Sequence, residues 1–158
     1  MEIWGGGGAR KTFHKRLNYL IDISQEYNLK VVDVDTNINE FLMQIQEKTH
    51  TFRTLSTILA LQKLFKIYYY GSGLPFYKFH FEEHDPAYYD LLNMVCLSTD
   101  NISFYSSGGE TTRLGKLKEI STNNIAHEYL NVCIAGGIPN CGKCEKCRRT
   151  MMGWVFIQ

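Results

Sequence analysis

Four cysteines crowd into one stretch near the C-terminus: Cys133, Cys141, Cys144 and Cys147. The last three are each separated by two residues, on a turn that carries Gly142 and Lys143. Thiols spaced in this way can converge on one point, and a fourth a few residues upstream can close a tetrahedron. A structural zinc ion requires that arrangement, four thiolates at about 2.3 Å with no open coordination position. No other feature constrains the fold as much, because such a site pins four backbone positions around one ion. Lys143, Lys146, Arg148 and Arg149 offset the negative charge of four thiolates. A set of reduced or disulfide-paired cysteines is the alternative, and disulfides belong to secreted chains. Here Met1-Glu2-Ile3-Trp4 runs into Gly5 to Gly8 without the apolar stretch of a signal peptide. No apolar run approaches the ~20 residues of a membrane span, so the chain reads as cytoplasmic. The fifth cysteine, Cys96, falls in an apolar helical stretch and is expected to be a buried free thiol.

The chain has 158 residues, 44% of them hydrophobic and 21% charged, which fits one globular domain with a real core. Its net charge of +1 gives no general pull toward nucleic acid or membrane. Gly5 to Gly8 reads as a flexible segment outside any packed element, so residues 1–12 are set apart as a Gly-rich N-terminus. Residues 13–130 then read as an α/β domain, and residues 131–158 as the metal module with a closing helix.

Hydrophobic spacing predicts helices over Phe13–Tyr27, ended by Asn28, over Ile38–Lys48, and over Phe52–Lys66. It predicts strands at Lys30–Val34, Ile67–Tyr70 and Ile102–Ser106. Asp85 as N-cap and Pro86 in the first turn open a helix to about Leu97. Further helices are expected over Thr111–Ile120 and Thr150–Ile157. Strands alternating with helices argue for a parallel sheet covered on both faces, with a ligand crevice at the C-terminal strand ends. Those ends are Asp35-Thr36-Asn37, Gly71-Ser72-Gly73 and Ser107-Gly108-Gly109, all small and polar. Turn geometry alone also favours such residues.

Arg53 is expected in the first turn of its helix, where a cation opposes the helix dipole by ~0.3–1 kcal/mol unless an anion sits there. A surface ion pair with a nearby carboxylate is the plainer reading. Ser107 to Thr112 has the form of a short phosphate loop, with Glu110 of the wrong charge for that role. His80 and His84 fall in an aromatic segment ahead of Pro86, and a substrate or surface loop fits them better than a metal site. His14, His50 and His127 are isolated and read as structural.

From about Val31 to Thr150 the chain resembles the C-terminal two-thirds of the PP-loop ATP pyrophosphatases, and among them the 7-cyano-7-deazaguanine synthases. Cys133, Cys141, Cys144 and Cys147 fall on that family's terminal zinc module. Arg53 with its apolar helix, the turn Gly71-Ser72-Gly73, and Lys116 in Arg113-Leu114-Gly115-Lys116 fall on its nucleotide-binding positions. The resemblance implies a Rossmann-like sheet that binds ATP and magnesium at its strand tips. It also implies adenylation of a small carboxylate, release of pyrophosphate and attack by a nitrogen nucleophile.

The chain departs from that pattern. The pyrophosphate loop Ser-Gly-Gly-x-Asp-Ser is missing ahead of the first helix, and Ser107-Gly108-Gly109 lies too late to replace it. The Tyr-Pro-Asp-Cys-Arg substrate motif is missing too, with Leu74-Pro75-Phe76-Tyr77 a faint echo. The expectation is a truncated or split ligase-like member, whose open sheet edge favours self-association or a partner chain. A zinc-stabilised binding domain without catalysis is the alternative. An RNA-binding zinc module ranks last, because the basic charge is local.

Overall fold

The structure is a computed structural model that describes residues 7–42, 46–136 and 138–157. The chain divides into two compact units, one of Thr36–Arg113 and one of the residues through Asp35 together with those from Leu114 onward. The cysteine module therefore shares a unit with the first helix instead of standing by itself.

In the second of these units, α1 spans Gly7–Glu26. It begins before Phe13, so Gly7 and Gly8 are helical and the expected flexible segment is corrected there. Gly5 and Gly6 lie outside the described residues. Asn28 ends the helix as expected, with φ of +51°, and Leu29 N–H donates to Ser24 O at 2.7 Å. The strand expected at Lys30–Val34 does not form. Residues 29–37 are irregular, and Val31 and Val32 are exposed. A β-branched run without a neighbouring ladder leaves its backbone groups unpaired, so propensity alone does not make a strand.

The other unit opens with α2, Ile38–Leu42, and α3, Gln46–Ala60. Strand β1, Ile67–Gly71, and strand β2, Ser103–Ser107, form a two-stranded parallel sheet in the register Ile67↔Ser103 to Gly71↔Ser107. Parallel neighbours need a crossover. Here it carries 3₁₀ turns at Phe76–Lys78 and Pro86–Tyr89 and then α4, Asp90–Leu97. The expected cap forms one turn early: Asp85 Oδ1 accepts from Ala87 N–H at 2.9 Å with Pro86 in the first turn, and this opens the 3₁₀ turn, while α4 itself begins at Asp90.

Leu55 and Ile58 of α3, Met94 of α4, and Ile102 and Phe104 form the buried core, with Tyr68 and Tyr70 packed against it. Each such aliphatic or aromatic side chain contributes about 1.5–3 kcal/mol when withdrawn from water. The opposite face of the sheet is open: Tyr69 is 67% exposed and its ring lies 5.7 Å from that of Tyr105. Helices on both faces were expected; among the described residues the sheet has two strands and one covered face. Cys96 is also corrected. The buried side of α4 is Asp90, Asn93 and Met94, and Cys96 is exposed.

The second unit resumes at Leu114, within α5, Arg113–Ile120, and continues with α6, Asn124–Tyr129, and α7, Glu145–Ile157. Helix α6 is capped by Asn123, whose Oδ1 accepts from Ile125 and Ala126 N–H at 2.9 and 3.2 Å. No helix among the described residues is long and apolar enough to cross a membrane.

Candidate functional site

The four cysteines converge. The Sγ atoms of Cys133, Cys141, Cys144 and Cys147 all lie within 4.8 Å of one another, and they are the single group of this kind among the described residues. Cys141 and Cys147 Sγ are 3.9 Å apart. Ligands at about 2.3 Å around a tetrahedral ion sit about 3.8 Å from each other. A disulfide would hold them near 2 Å, and all four are free thiols.

Local sequence builds this geometry. Gly142 takes φ of +70°, which a side chain resists, and so turns Cys144 back toward Cys141. Cys144 N–H then points at Cys141 Sγ, 3.4 Å away. Arg148 N–H bonds Cys144 O at 3.0 Å, which starts α7 and places Cys147 in its first turn. Helix α7 thus begins at Glu145, ahead of the expected Thr150, and an i,i+4 pair of Glu145 with Arg149 at 3.0 Å supports the start.

Cys133 arrives from a loop tied by Asn140. The Asn140 Oδ1 accepts from Val132 N–H at 2.9 Å, and its Nδ2 donates to Leu130 O at 2.7 Å. Helix α1 braces the same loop, because Arg16 Nη2 donates to Cys133 O at 2.6 Å. Cys133 and Cys147 are 2% and 1% exposed.

Without a cation Cys144 and Cys147 do not ionise alike. Backbone N–H groups of Cys147 and Ile134 pull Cys144 down to about 6, whereas burial and the neighbouring thiols push Cys147 up to about 12. Crowded sulfurs resist sharing negative charge, and a divalent cation among them removes that resistance. The donor set therefore fits a thiolate-bound metal ion of the structural kind. Beside Cys147 lies a cavity of about 220 Å³ walled by Leu130, Val132, Met151 and Trp154. The His127 ring is stacked on Trp154 with centroids 5.0 Å apart.

The other expected positions fare differently. Gly71-Ser72-Gly73 lies at the tip of β1 beside Ser107, and Ser72 N–H donates to Ser107 O at 2.8 Å. Nothing stands within 4 Å of a Cβ placed on Gly71, and only Ala87 Cβ, at 3.8 Å, meets one on Gly73. Backbone at this tip is open to a ligand. Gly108 and Gly109 have structural reasons instead. Gly108 takes φ of +78°, and a Cβ on Gly109 would lie 1.9 Å from the Phe76 ring.

Arg53 is corrected. Helix α3 starts at Gln46, so Arg53 lies inside it, 5% exposed, and not at its N-terminus. The dipole argument for an anion there falls. Lys116 lies in α5, whose residues from Leu114 belong to the other unit. His80 packs on Tyr88 with ring centroids at 4.3 Å and faces Glu82 at 3.7 Å.

Sequence reasoning missed one cluster. Asp90 is 3% exposed, and its Oδ1 accepts from Thr51 Oγ1 at 2.8 Å. His50 Nε2 lies 4.0 Å from Asp85 Oδ1 in the same neighbourhood. Burial raises the pKa of Asp90, and the Thr51 hydrogen bond opposes the rise. Tyr70 is raised as well, chiefly by burial. The available signal was an acidic residue four positions after Pro86, on the side of the helix that carries Met94.

The chain matches no protein-family model, and no curated protein or solved structure is detectably similar to it.

Proposed function

We propose that the four thiolates hold one structural zinc ion and that the strand tips of the βαβ pair bind ATP. The chain then works as a PP-loop-type, ATP-dependent ligase on a small carboxylate substrate, without the Ser-Gly-Gly-x-Asp-Ser pyrophosphate loop of that family. The observation that supports this reading is the parallel register of β1 and β2, which sets the open Gly71-Ser72-Gly73 tip beside Ser107. Crevices outside the carboxyl ends of parallel strands are where open α/β sheets take ligands. Zinc fits four thiolates without a fifth donor, and in this role it holds the loop of Cys133 to the start of α7. Magnesium accompanies the nucleotide in this reading.

A second reading is a zinc-stabilised binding protein without catalysis. It is favoured by Arg53, which is buried inside α3 instead of presented at a helix N-terminus.

Metal analysis and calorimetry separate these readings. One zinc per chain is expected, together with saturable binding of ATP in magnesium that is weakened when Gly71 is replaced by Leu. Binding followed by pyrophosphate release with a carboxylate supports the ligase. Binding without turnover across a panel of carboxylates supports the second reading, and no binding at millimolar ATP overturns the nucleotide assignment.

A further inference from the structure

The thiolate cluster has an asymmetry that a purely structural metal site does not need. Cys133 and Cys147 are buried, whereas Cys141 and Cys144 are only partly covered. Cys144 also holds a special place on the chain. It stands immediately before α7, and its carbonyl accepts a helical hydrogen bond from Arg148 N–H at 3.0 Å. That makes Cys144 the N-cap residue and Cys147 the third residue of the helix. The Cys144 Sγ accepts from the backbone N–H of Cys147, as an N-cap side chain does, and from that of Ile134. Lys143 and Lys146 flank it, and both are exposed.

A partly exposed sulfur in a Cys-x-x-Cys run, at a helix N-terminus and beside lysines, is in the setting of reactive cysteines, whereas buried structural cysteines are inert. Cys144 meets each of these conditions. A second sulfur stands ready to trap its oxidised form, because Cys147 Sγ lies within 4.8 Å of Cys144 Sγ. Cys147 is 1% exposed, so it is shielded from a dissolved oxidant and open to its neighbour.

We propose that Cys144 and Cys147 form a reversible dithiol–disulfide couple that is oxidised by hydrogen peroxide and gives up the metal when it is. The Cys144 thiolate attacks one peroxide oxygen. An S–O bond forms, the O–O bond breaks, and the departing hydroxide takes a proton to become water. Cys144 is then a sulfenic acid. The Cys147 thiolate attacks the Cys144 sulfur. The S–S bond forms, the S–O bond breaks, and a second hydroxide leaves as water after taking a proton. Two electrons pass from the sulfur pair to the peroxide. Two of the four ligands are consumed, so the remaining pair no longer closes a tetrahedron and the zinc ion departs. A dithiol reductant reverses the couple by thiol–disulfide exchange and is itself oxidised to a disulfide. The release step rests on the zinc reading, and the disulfide step does not.

The test uses the zinc-loaded Cys96→Ser chain, which lacks the exposed thiol outside the cluster. It is treated with one equivalent of hydrogen peroxide beside a zinc-sensitive dye. Trypsin cuts after Lys143 and Lys146, which puts Cys141, Cys144 and Cys147 on separate peptides. Non-reducing mass spectrometry should find the peptides of Cys144 and Cys147 joined. Two thiols and the bound zinc should be lost together, and dithiothreitol with zinc should restore both. Cys144→His keeps a metal ligand but cannot form the bridge, and should hold its zinc under the same treatment. If that variant does not fold, the peptide map of the Cys96→Ser chain decides. A bridge that omits Cys144, thiols that survive the peroxide, oxidation that dithiothreitol does not reverse, or equal zinc release from Cys144→His overturns the proposal. A chain that never holds zinc overturns the zinc reading alone, and the bridge in the metal-free protein then decides the couple.

Discussion

The thiolate cluster and the strand-tip crevice are built in opposite ways. Three of the four sulfurs come from Cys141 to Cys147, a stretch that folds on itself through a left-handed Gly142 and the first turn of α7. The crevice draws Asp90 from α4, Ser106 from β2, Ser72 from the turn after β1, and Thr51 from α3. A local site is held by its ion and a few hydrogen bonds. A non-local site is held only as well as the core that positions four separate elements. The first should therefore fail through its metal, and the second through packing.

The largest expected effect follows from removing the metal. Structural zinc in small modules is worth about 10–16 kcal/mol of apparent binding energy, and that energy is folding energy. Chelation, or Cys147→Ser, should release the zinc and abolish the tertiary order of α7 and the Cys133 loop. The β1–β2 pair should keep its hydrogen-exchange protection. Metal analysis combined with hydrogen exchange checks this, and equal loss of protection in both units would break the comparison.

Next in size is Leu55→Ala. Leu55 is fully buried in the core beside Met94 and Phe104. Truncation should cost about 2–5 kcal/mol by urea unfolding. Zinc content should stay unchanged, because none of the thiolates comes from the unit that holds Leu55.

The same division explains what could be read from the sequence. The four-cysteine site was legible because its ligands announce themselves by type and spacing, and the structure brings all four together. β1, β2 and the Asp85-Pro86 helix start were legible from local pattern and turn chemistry. The strand at Lys30–Val34 was misread because a strand exists only with a partner, and partner choice is not written in three valines. Arg53 was misplaced by one early helix boundary: starting α3 at Gln46 instead of Phe52 moves it from an anion-binding position to a buried one. Asp90 was invisible because burial of a carboxylate depends on Thr51 and Ser106, far away in sequence.

Two glycines offer a smaller, paired test. A Cβ on Gly109 would lie 1.9–2.5 Å from three Phe76 ring atoms, so the ring or the backbone must move, and Gly109→Ala should cost about 1–3 kcal/mol. A Cβ on Gly153 would meet Leu117 Cδ1 at 2.6 Å and Leu114 Cδ1 at 3.6 Å, the far ends of two flexible side chains. Alanine inside α7 recovers about 1 kcal/mol of helix propensity, so Gly153→Ala should be close to neutral. Chemical denaturation of both variants ranks them, and a larger loss at Gly153 would mean that the packing of α7 tolerates less than the thiolate site implies.

The smallest expected effect concerns pH. The folded pKa of Asp90 is raised, mainly by burial, so the folded state keeps this proton to higher pH than the unfolded chain does. Stability linked to the protonated form is present below the unfolded value and lost as pH rises through the folded one. The wild-type protein should therefore gain stability from Asp90 as pH falls toward the ordinary aspartate value of about 4. Asp90→Asn has no proton to take up there, and its amide oxygen can still accept from Thr51. At neutral pH the variant should be at least as stable as wild type, and the difference should narrow on acidification. If the variant is instead less stable at neutral pH by more than about 1 kcal/mol, the carboxylate charge is already compensated within the fold. Asp90 would then be a structural anchor for α4, held by its hydrogen bond from Thr51.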